Sequence, residues 1–158
     1  MPLLEYPCHS NNFHETHIAL ILDSYQRLLH KPLLETSPGL SLGQQIYEAD
    51  FALVSHNTDA DPLFNYANLT AQNLFELSWP EFLGMPSRFS AEPVNREERE
   101  KLLARVAAKG FIDDYSGVRI AKSGKRFLIQ QAVVWNVFDG QQRPYGQAAC
   151  FKDWVFLP

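Results

Sequence analysis

The carboxyl-terminal half of the chain carries three strand-length runs in close succession, and this feature most restricts the folds open to it. The runs are about Phe111–Ala121, Arg126–Phe138 and Tyr145–Phe156. Between them stand Lys122-Ser123-Gly124-Lys125 and Asp139-Gly140-Gln141-Gln142, whose glycines and polar residues suit hairpin turns. Strands joined this tightly run antiparallel, because a parallel crossover needs a dozen residues or more. An earlier pair, Phe51–His56 and Leu63–Ala67, flanks Asn57-Thr58-Asp59-Ala60-Asp61-Pro62, a stretch dense in turn formers. The order strand, strand, helices, strand, strand, strand predicts an α+β fold built on an antiparallel sheet.

Helical periodicity fills the remainder. From about Phe13 to His30, Ile18, Ile21, Leu22, Tyr25, Leu28 and Leu29 recur at three- and four-residue steps, with Pro32 beyond to stop the helix. Ser41 is placed to cap a short helix over about Leu42–Glu48, and Asn68 a second through about Leu77 that offers Leu69, Leu74, Phe75 and Leu77 to the core. Asn95–Lys109 forms another, with Leu102, Leu103, Val106 and Ala107 inward and Arg96, Glu97, Glu98 and Lys101 in solvent. The chain divides into a helical extension, residues 1–50, and a sheet domain, residues 51–158.

Several function classes are excluded. A net charge of −4 gives no basic surface for nucleic acid. No basic-then-apolar leader or bilayer-length apolar run is present, so the expected setting is the cytoplasm, without membrane contact. Cys8 and Cys150 are too isolated for a disulfide framework, and Cys8, His9, His14 and His17 match no zinc spacing. No phosphate-cradling glycine loop, nucleophile elbow or metalloprotease motif occurs, and Asp113 and Asp114, as strand neighbours, point to opposite faces. The chain reads as a non-enzyme.

Tyr66-Ala67-Asn68 opening a helix, the leucine-rich stretch to Gly84, Ala121-Lys122-Ser123-Gly124 and Asp139-Gly140 together resemble a PAS domain over about Phe51–Trp154. The resemblance implies a five-stranded antiparallel sheet with helices on one face, which either binds a small molecule in its cup or dimerises through the sheet and a flanking amino-terminal helix. The whole chain is also similar to the MEKHLA domain, a PAS-like module found in plant homeodomain-leucine-zipper regulators and in stand-alone bacterial proteins. Asp61-Pro62-Leu63-Phe64-Asn65-Tyr66-Ala67-Asn68, Ser87-Arg88-Phe89-Ser90-Ala91-Glu92-Pro93 and Gly110-Phe111-Ile112-Asp113-Asp114-Tyr115-Ser116-Gly117 carry that likeness. It implies a regulatory role with no chemistry attached.

Light-sensing PAS domains hold a flavin-reactive cysteine in Gly-x-Asn-Cys-Arg-Phe. Here Gly84-Met85-Pro86-Ser87-Arg88-Phe89 takes that place, with serine for the nucleophile. Two polar flavin contacts are replaced by Arg119 and Ile129, and the last-strand glutamine by Ala148, with Gln147 one place off. The resemblance leaves non-covalent flavin as a cofactor alternative and gives Arg88 a phosphate-binding role, against a structural ion pair with Glu92 or Asp113.

Strand alternation puts Phe127, Ile129, Gln131, Val133 and Trp135 on one face. If that face is the cup, Gln131 and Trp135 meet either a ligand or the backbone. The candidate ligand residues are therefore His56, Arg88, Tyr115, Ile129, Gln131, Trp135 and Gln147. The expected function is a non-catalytic sensory module binding a small organic ligand. Its alternatives are a protein-interaction module with a self-filled core and a flavin-using domain. The apolar helix over Phe13–His30 must cover either its own sheet or a second copy, and a homodimer through it is expected.

Overall fold

The computed structural model describes residues 5–91 and 93–158. Helix α1 (Glu15–Leu29) and the short α2 (Leu42–Tyr47) precede strands β1 (Ala52–His56) and β2 (Phe64–Ala67). Helices α3 (Leu69–Phe75), α4 (Trp79–Phe82) and α5 (Pro93–Lys109) follow, with a 3₁₀ turn at Ser87–Ser90. Strands β3 (Phe111–Ile120), β4 (Arg126–Phe138), β5 (Pro144–Phe151) and β6 (Asp153–Phe156) complete the chain. The antiparallel sheet runs in the order β2-β1-β5-β4-β3, and β6 also pairs with β4. Where the sequence suggested one last strand, the structure has two: β5 and β6 lie along the same edge of β4 and are interrupted at Lys152.

Local chemistry fixes the helix ends. Ser41 Oγ accepts from Gln44 N–H at 3.1 Å and Asn68 Oδ1 from Ala71 N–H at 3.1 Å, as N-caps do. Asn68 is fully buried because it has further partners. Its Oδ1 also accepts from Leu53 N–H, and its Nδ2 donates to the carbonyls of Ile46 and Phe51. One amide thus joins α2, β1 and α3. Helix α1 stops at His30 in the left-handed conformation (φ 60°), before Pro32 can act.

The sheet is covered on both faces. On the outer face Leu53, Trp135, Val137 and Cys150 pack against Ile18, Ile21, Leu22 and Tyr25 of α1. On the inner face Ala52, Val54, Phe127, Ile129, Ala132 and Phe151 meet Leu74, Phe75 and Phe82 from α3 and α4. Leu102 and Val106 of α5 close over Ile112 and Val134 on the same side. Leu69 is 40% exposed, so its expected place in the core is not realised.

One backbone irregularity decides which side chains reach the inner face. Gln131 has φ 51°, and the pairing of β3 with β4 slips there. This bulge inserts one residue and exchanges the faces of everything beyond it. Phe127 and Ile129 point inward as alternation requires, but Ala132 and Val134 succeed them, while Val133, Trp135 and Val137 point to α1. The expectation that Gln131 and Trp135 share the cup face with Ile129 is therefore corrected. Gln131 is exposed, and Trp135, with no exposed surface, donates from Nε1 to the Ile21 carbonyl at 3.1 Å.

Candidate functional site

Between the inner face, the Ser87–Ser90 turn and α5 lies a cavity of about 70 Å³. Its floor is apolar, made by Val54, Ile129, Val134, Ala149 and Phe151 of the sheet. Its polar groups come from four directions. His56 ends β1, Gln147 lies opposite it on β5, Tyr115 and Arg119 project from β3, and Ser87, Ser90 and Arg99 close the far side.

Arg99 reaches the cavity because Arg99, Leu102 and Val106 follow the i, i+3, i+7 spacing of one helix face. It is only 6% exposed, and its Nη2 donates to Ser87 Oγ. Burial, helped by the neighbouring positive charge of Arg119, pushes its guanidinium down to about 10, so it stays charged at neutral pH. Arg119 is 8% exposed, and its Nη1 donates to the Val118 carbonyl at 2.9 Å. Its guanidinium carbon lies 5.4 Å from the centre of the Tyr115 ring, a cation–π contact. That ring folds back over Gly117, where a Cβ would stand 2.0 Å from the Tyr115 hydroxyl. A residue without a side chain at 117 is what lets the ring support Arg119.

The amide of Gln147 is oriented by a chain of partners. Asn136 Nδ2 donates to the Val106 carbonyl at 3.1 Å, so Asn136 Oδ1 is an acceptor and takes the Gln147 Nε2–H at 3.0 Å. Gln147 Oε1 is thereby left buried without a partner. His56 donates from Nδ1 to the Asn57 carbonyl at 2.9 Å, which leaves Nε2 as an acceptor, and burial lowers its pKa, favouring the neutral ring.

Of the residues singled out in the sequence, His56, Tyr115, Ile129 and Gln147 converge on this cavity. Gln131 and Trp135 lie outside it, for the reason already given. Arg88 is half-buried and pairs with Asp61, at 3.1 and 3.2 Å from its Nε, while stacking on Phe89. The structural ion pair is thus present with Asp61 as the partner; of the two acids expected, Asp113 is not it and Glu92 lies outside the described residues. Ala148 packs in the outer core, so the polar side chain that β5 brings to the cup is Gln147, between the apolar contributions of Ala149 and Phe151 and the end of β1. Sequence reading passed over Arg99, although its spacing from Leu102 and Val106 already marked it as inward.

The cavity does not fit a flavin. An apolar cavity of about 150 Å³ is what a single benzene ring occupies, and a flavin has three fused rings. Ser87 Oγ also accepts from Arg99, and two guanidinium groups occupy the lining. Among the described residues no group of histidine, cysteine and carboxylate side chains could hold a metal ion. His17 instead sits on the outer face between Tyr145 and Ser55. No helix among the described residues is long and apolar enough to cross a membrane.

Among solved structures, the chain is similar to the PAS domain of a protein from Colwellia psychrerythraea, with a TM-score of 0.59 at 15% identity over 70% of this chain and 91% of that one. It is also similar to an RNA-binding light-oxygen-voltage receptor, with a TM-score of 0.59 and 18% identity over 78% of this chain and 36% of that one. A light-oxygen-voltage domain studied with a flavin analogue gives 0.56 and 19% over 76% and 87%. At these identities the likeness establishes the PAS fold. Among curated proteins, homeobox-leucine zipper protein HOX9 of Oryza sativa, in both the indica and japonica subspecies, is 23% identical over 139 residues. That match covers 87% of this chain and 16% of the rice protein, so the chain spans about a sixth of the relatives it matches. The MEKHLA domain family matches residues 15–156, which takes in α1, the sheet and every wall of the cavity, and the chain belongs to that family.

Proposed function

We propose that this PAS-fold domain is a non-catalytic cytoplasmic sensory module whose cup binds a small organic ligand. The family supports a sensory, regulatory role. The observation that carries the ligand is Gln147 Oε1, a buried acceptor oriented by Asn136 and Val106 and without a hydrogen-bond partner, beside His56 in the lining of the cavity. An unpaired buried acceptor costs about 1–3 kcal/mol, which a ligand donor would recover. The same amide chain gives the signal a route, since ligand contact at Gln147 passes through Asn136 to the carbonyl of Val106 on α5.

The test begins by denaturing purified protein and identifying released small molecules by mass spectrometry. A stoichiometric organic compound, or a metabolite that raises the melting temperature of wild type but not of Gln147→Met, is the expected result. A cavity that takes up nothing, with Gln147→Met simply more stable than wild type, would support the second reading. That reading is an interaction module with a self-filled cup, and the modest 70 Å³ volume favours it. Self-association through α1 is a separate proposal. Ile18 and Ile21 have no exposed surface within one chain, so a dimer would use the polar outer side of α1 or require the helix to exchange.

A further inference from the structure

Among the described residues, charged side chains at the surface form ion pairs that the two buried cations lack. At the surface Arg88 pairs with Asp61, Arg143 with Asp139, Lys122 with Glu81 and Lys101 with Glu97. Arg99 and Arg119 are the buried cations of the cavity, and neither forms an ion pair with any described carboxylate. Asp61 and Glu100 attract Arg99 only at a distance, and Asp61 is already committed to Arg88. Two like charges, each more than nine-tenths buried and facing one cavity, oppose folding unless something negative joins them.

The partners they do have are neutral and incomplete. Arg99 uses Nη2 on Ser87 Oγ, and Arg119 uses Nη1 on the Val118 carbonyl. A guanidinium has five N–H groups, so each retains donors for a further acceptor. The planar fork matches the two oxygens of a carboxylate, and a charge-assisted bond there is about twice as strong as a neutral one. The opposite wall is hydrocarbon, from Val54, Phe64, Phe75, Ile129 and Phe151, which suits a short apolar chain and not a bare inorganic anion. Against a cavity of about 150 Å³ that holds one benzene ring, a volume of 70 Å³ leaves room for about three to four non-hydrogen atoms, the carboxylate oxygens included, so the acid is about the size of acetate.

We infer that the cup takes a short-chain aliphatic carboxylate, whose acid group is held by the guanidinium groups of Arg99 and Arg119 and whose carbon chain lies on the sheet. This deepens the proposed sensory role and rests on the reading that the cup binds a ligand; the carboxylate itself only accepts, so the donor for Gln147 Oε1 comes from a hydroxyl on the carbon chain. Ser87, in this arrangement, positions Arg99, and Tyr115 over Gly117 positions Arg119.

The experiment is calorimetry on the full chain at fixed ionic strength with acetate, propionate and the hydroxyl-bearing glycolate. The neutral acetamide and propionamide, and inorganic phosphate, are run beside them. The acids bind and the amides do not. Arg99→Gln and Arg119→Gln each weaken the acids by at least about tenfold, while Arg99→Lys, which keeps the charge, loses less. In ligand-free protein each glutamine variant melts above wild type, because a buried like charge has gone. Amides binding as well as acids would overturn the carboxylate assignment and leave the ligand-binding reading standing. Phosphate binding with no carboxylate binding would overturn it as well. Silence from every probe, together with glutamine variants that melt below wild type, would make the two arginines structural and end the inference.

Discussion

The indole Nε1–H of Trp135 donates to the main-chain carbonyl of Ile21 at 3.1 Å, fixing α1 to the outer face of the sheet. The ring also meets Tyr25 edge-on, with centroids 4.9 Å apart. Trp135 therefore belongs to the core shared by the helix and the sheet, and the cup is on the other side of its strand. Trp135→Ala is expected to cost about 3–5 kcal/mol in urea unfolding, and Trp135→Phe about 1–2 kcal/mol for the lost hydrogen bond and smaller ring. Neither should change the affinity of the cup for a ligand. A variant that keeps its stability and loses ligand would place the indole in the cup after all.

Helix α1 gives the second prediction. Ile18 is fully buried and Leu22 is 9% exposed, both against the chain's own sheet. Replacing both with glutamate would put two carboxylates into that core without partners. The expected loss is at least about 4 kcal/mol, a large share of the 5–15 kcal/mol that holds a typical domain together. Circular dichroism should show a chain unfolded or molten at room temperature. A folded, smaller species by light scattering would mean that α1 packs on a second copy.

Much of this architecture is legible from local chemistry. Ser41 and Asn68 announce helix starts because a short polar side chain satisfies free N–H groups, and both do so here. The antiparallel sheet follows from runs separated by turns too short for a crossover. The site is harder to read, because its membership depends on which face each residue takes. Around Gln131 both registers bury apolar side chains, Val133 and Trp135 in one, Ala132 and Val134 in the other, so alternation cannot choose between them. The choice is made by long-range pairing, where β5 gives way to β6 across from the bulge. Arg99 is a different kind of omission: its spacing pointed inward, but its charge suggested solvent. Gln147, a candidate from the sequence, lines the cavity, while its orphaned acceptor depends on Asn136 and Val106, which only the fold brings together.

The bulge itself can be tested at Gln131. A side chain at φ 51° costs something that glycine does not. Gln131→Gly should be neutral or stabilising by up to about 1 kcal/mol, whereas Gln131→Val should cost about 1–2 kcal/mol, since β-branched residues resist the left-handed region. In a regular strand the order reverses, because valine is the better strand former and glycine weakens strand interiors. Urea midpoints of the two variants decide the matter, and a valine variant more stable than wild type would remove the bulge from the account.

The last prediction concerns acid. His17 Nδ1 lies 2.8 Å from the Tyr145 hydroxyl and its Nε2 3.0 Å from Ser55 Oγ. Ser55 donates its own hydroxyl hydrogen to Asn65 Oδ1 at 2.5 Å, so it accepts from His17 Nε2–H. Nδ1 then accepts from Tyr145, and the neutral ring satisfies both neighbours. Protonation would break this chain, and burial, with His14 nearby, pushes the pKa of His17 down to about 4. A folded pKa below the unfolded value of 6.5 means that the unfolded chain binds the proton more readily. The stabilisation is therefore complete above about pH 6.5 and is lost as the pH falls towards 4. Its size is at most about 3 kcal/mol, and less because the ring is partly exposed. His56, whose pKa is also lowered, adds a slope of the same sign. His17→Gln can still donate and accept but does not titrate. It should flatten, without abolishing, the fall in unfolding free energy between pH 6.5 and 4. An unchanged slope in that variant would mean that His17 binds its proton equally readily in the folded and unfolded chain, so that burial between Tyr145 and Ser55 does not lower its pKa.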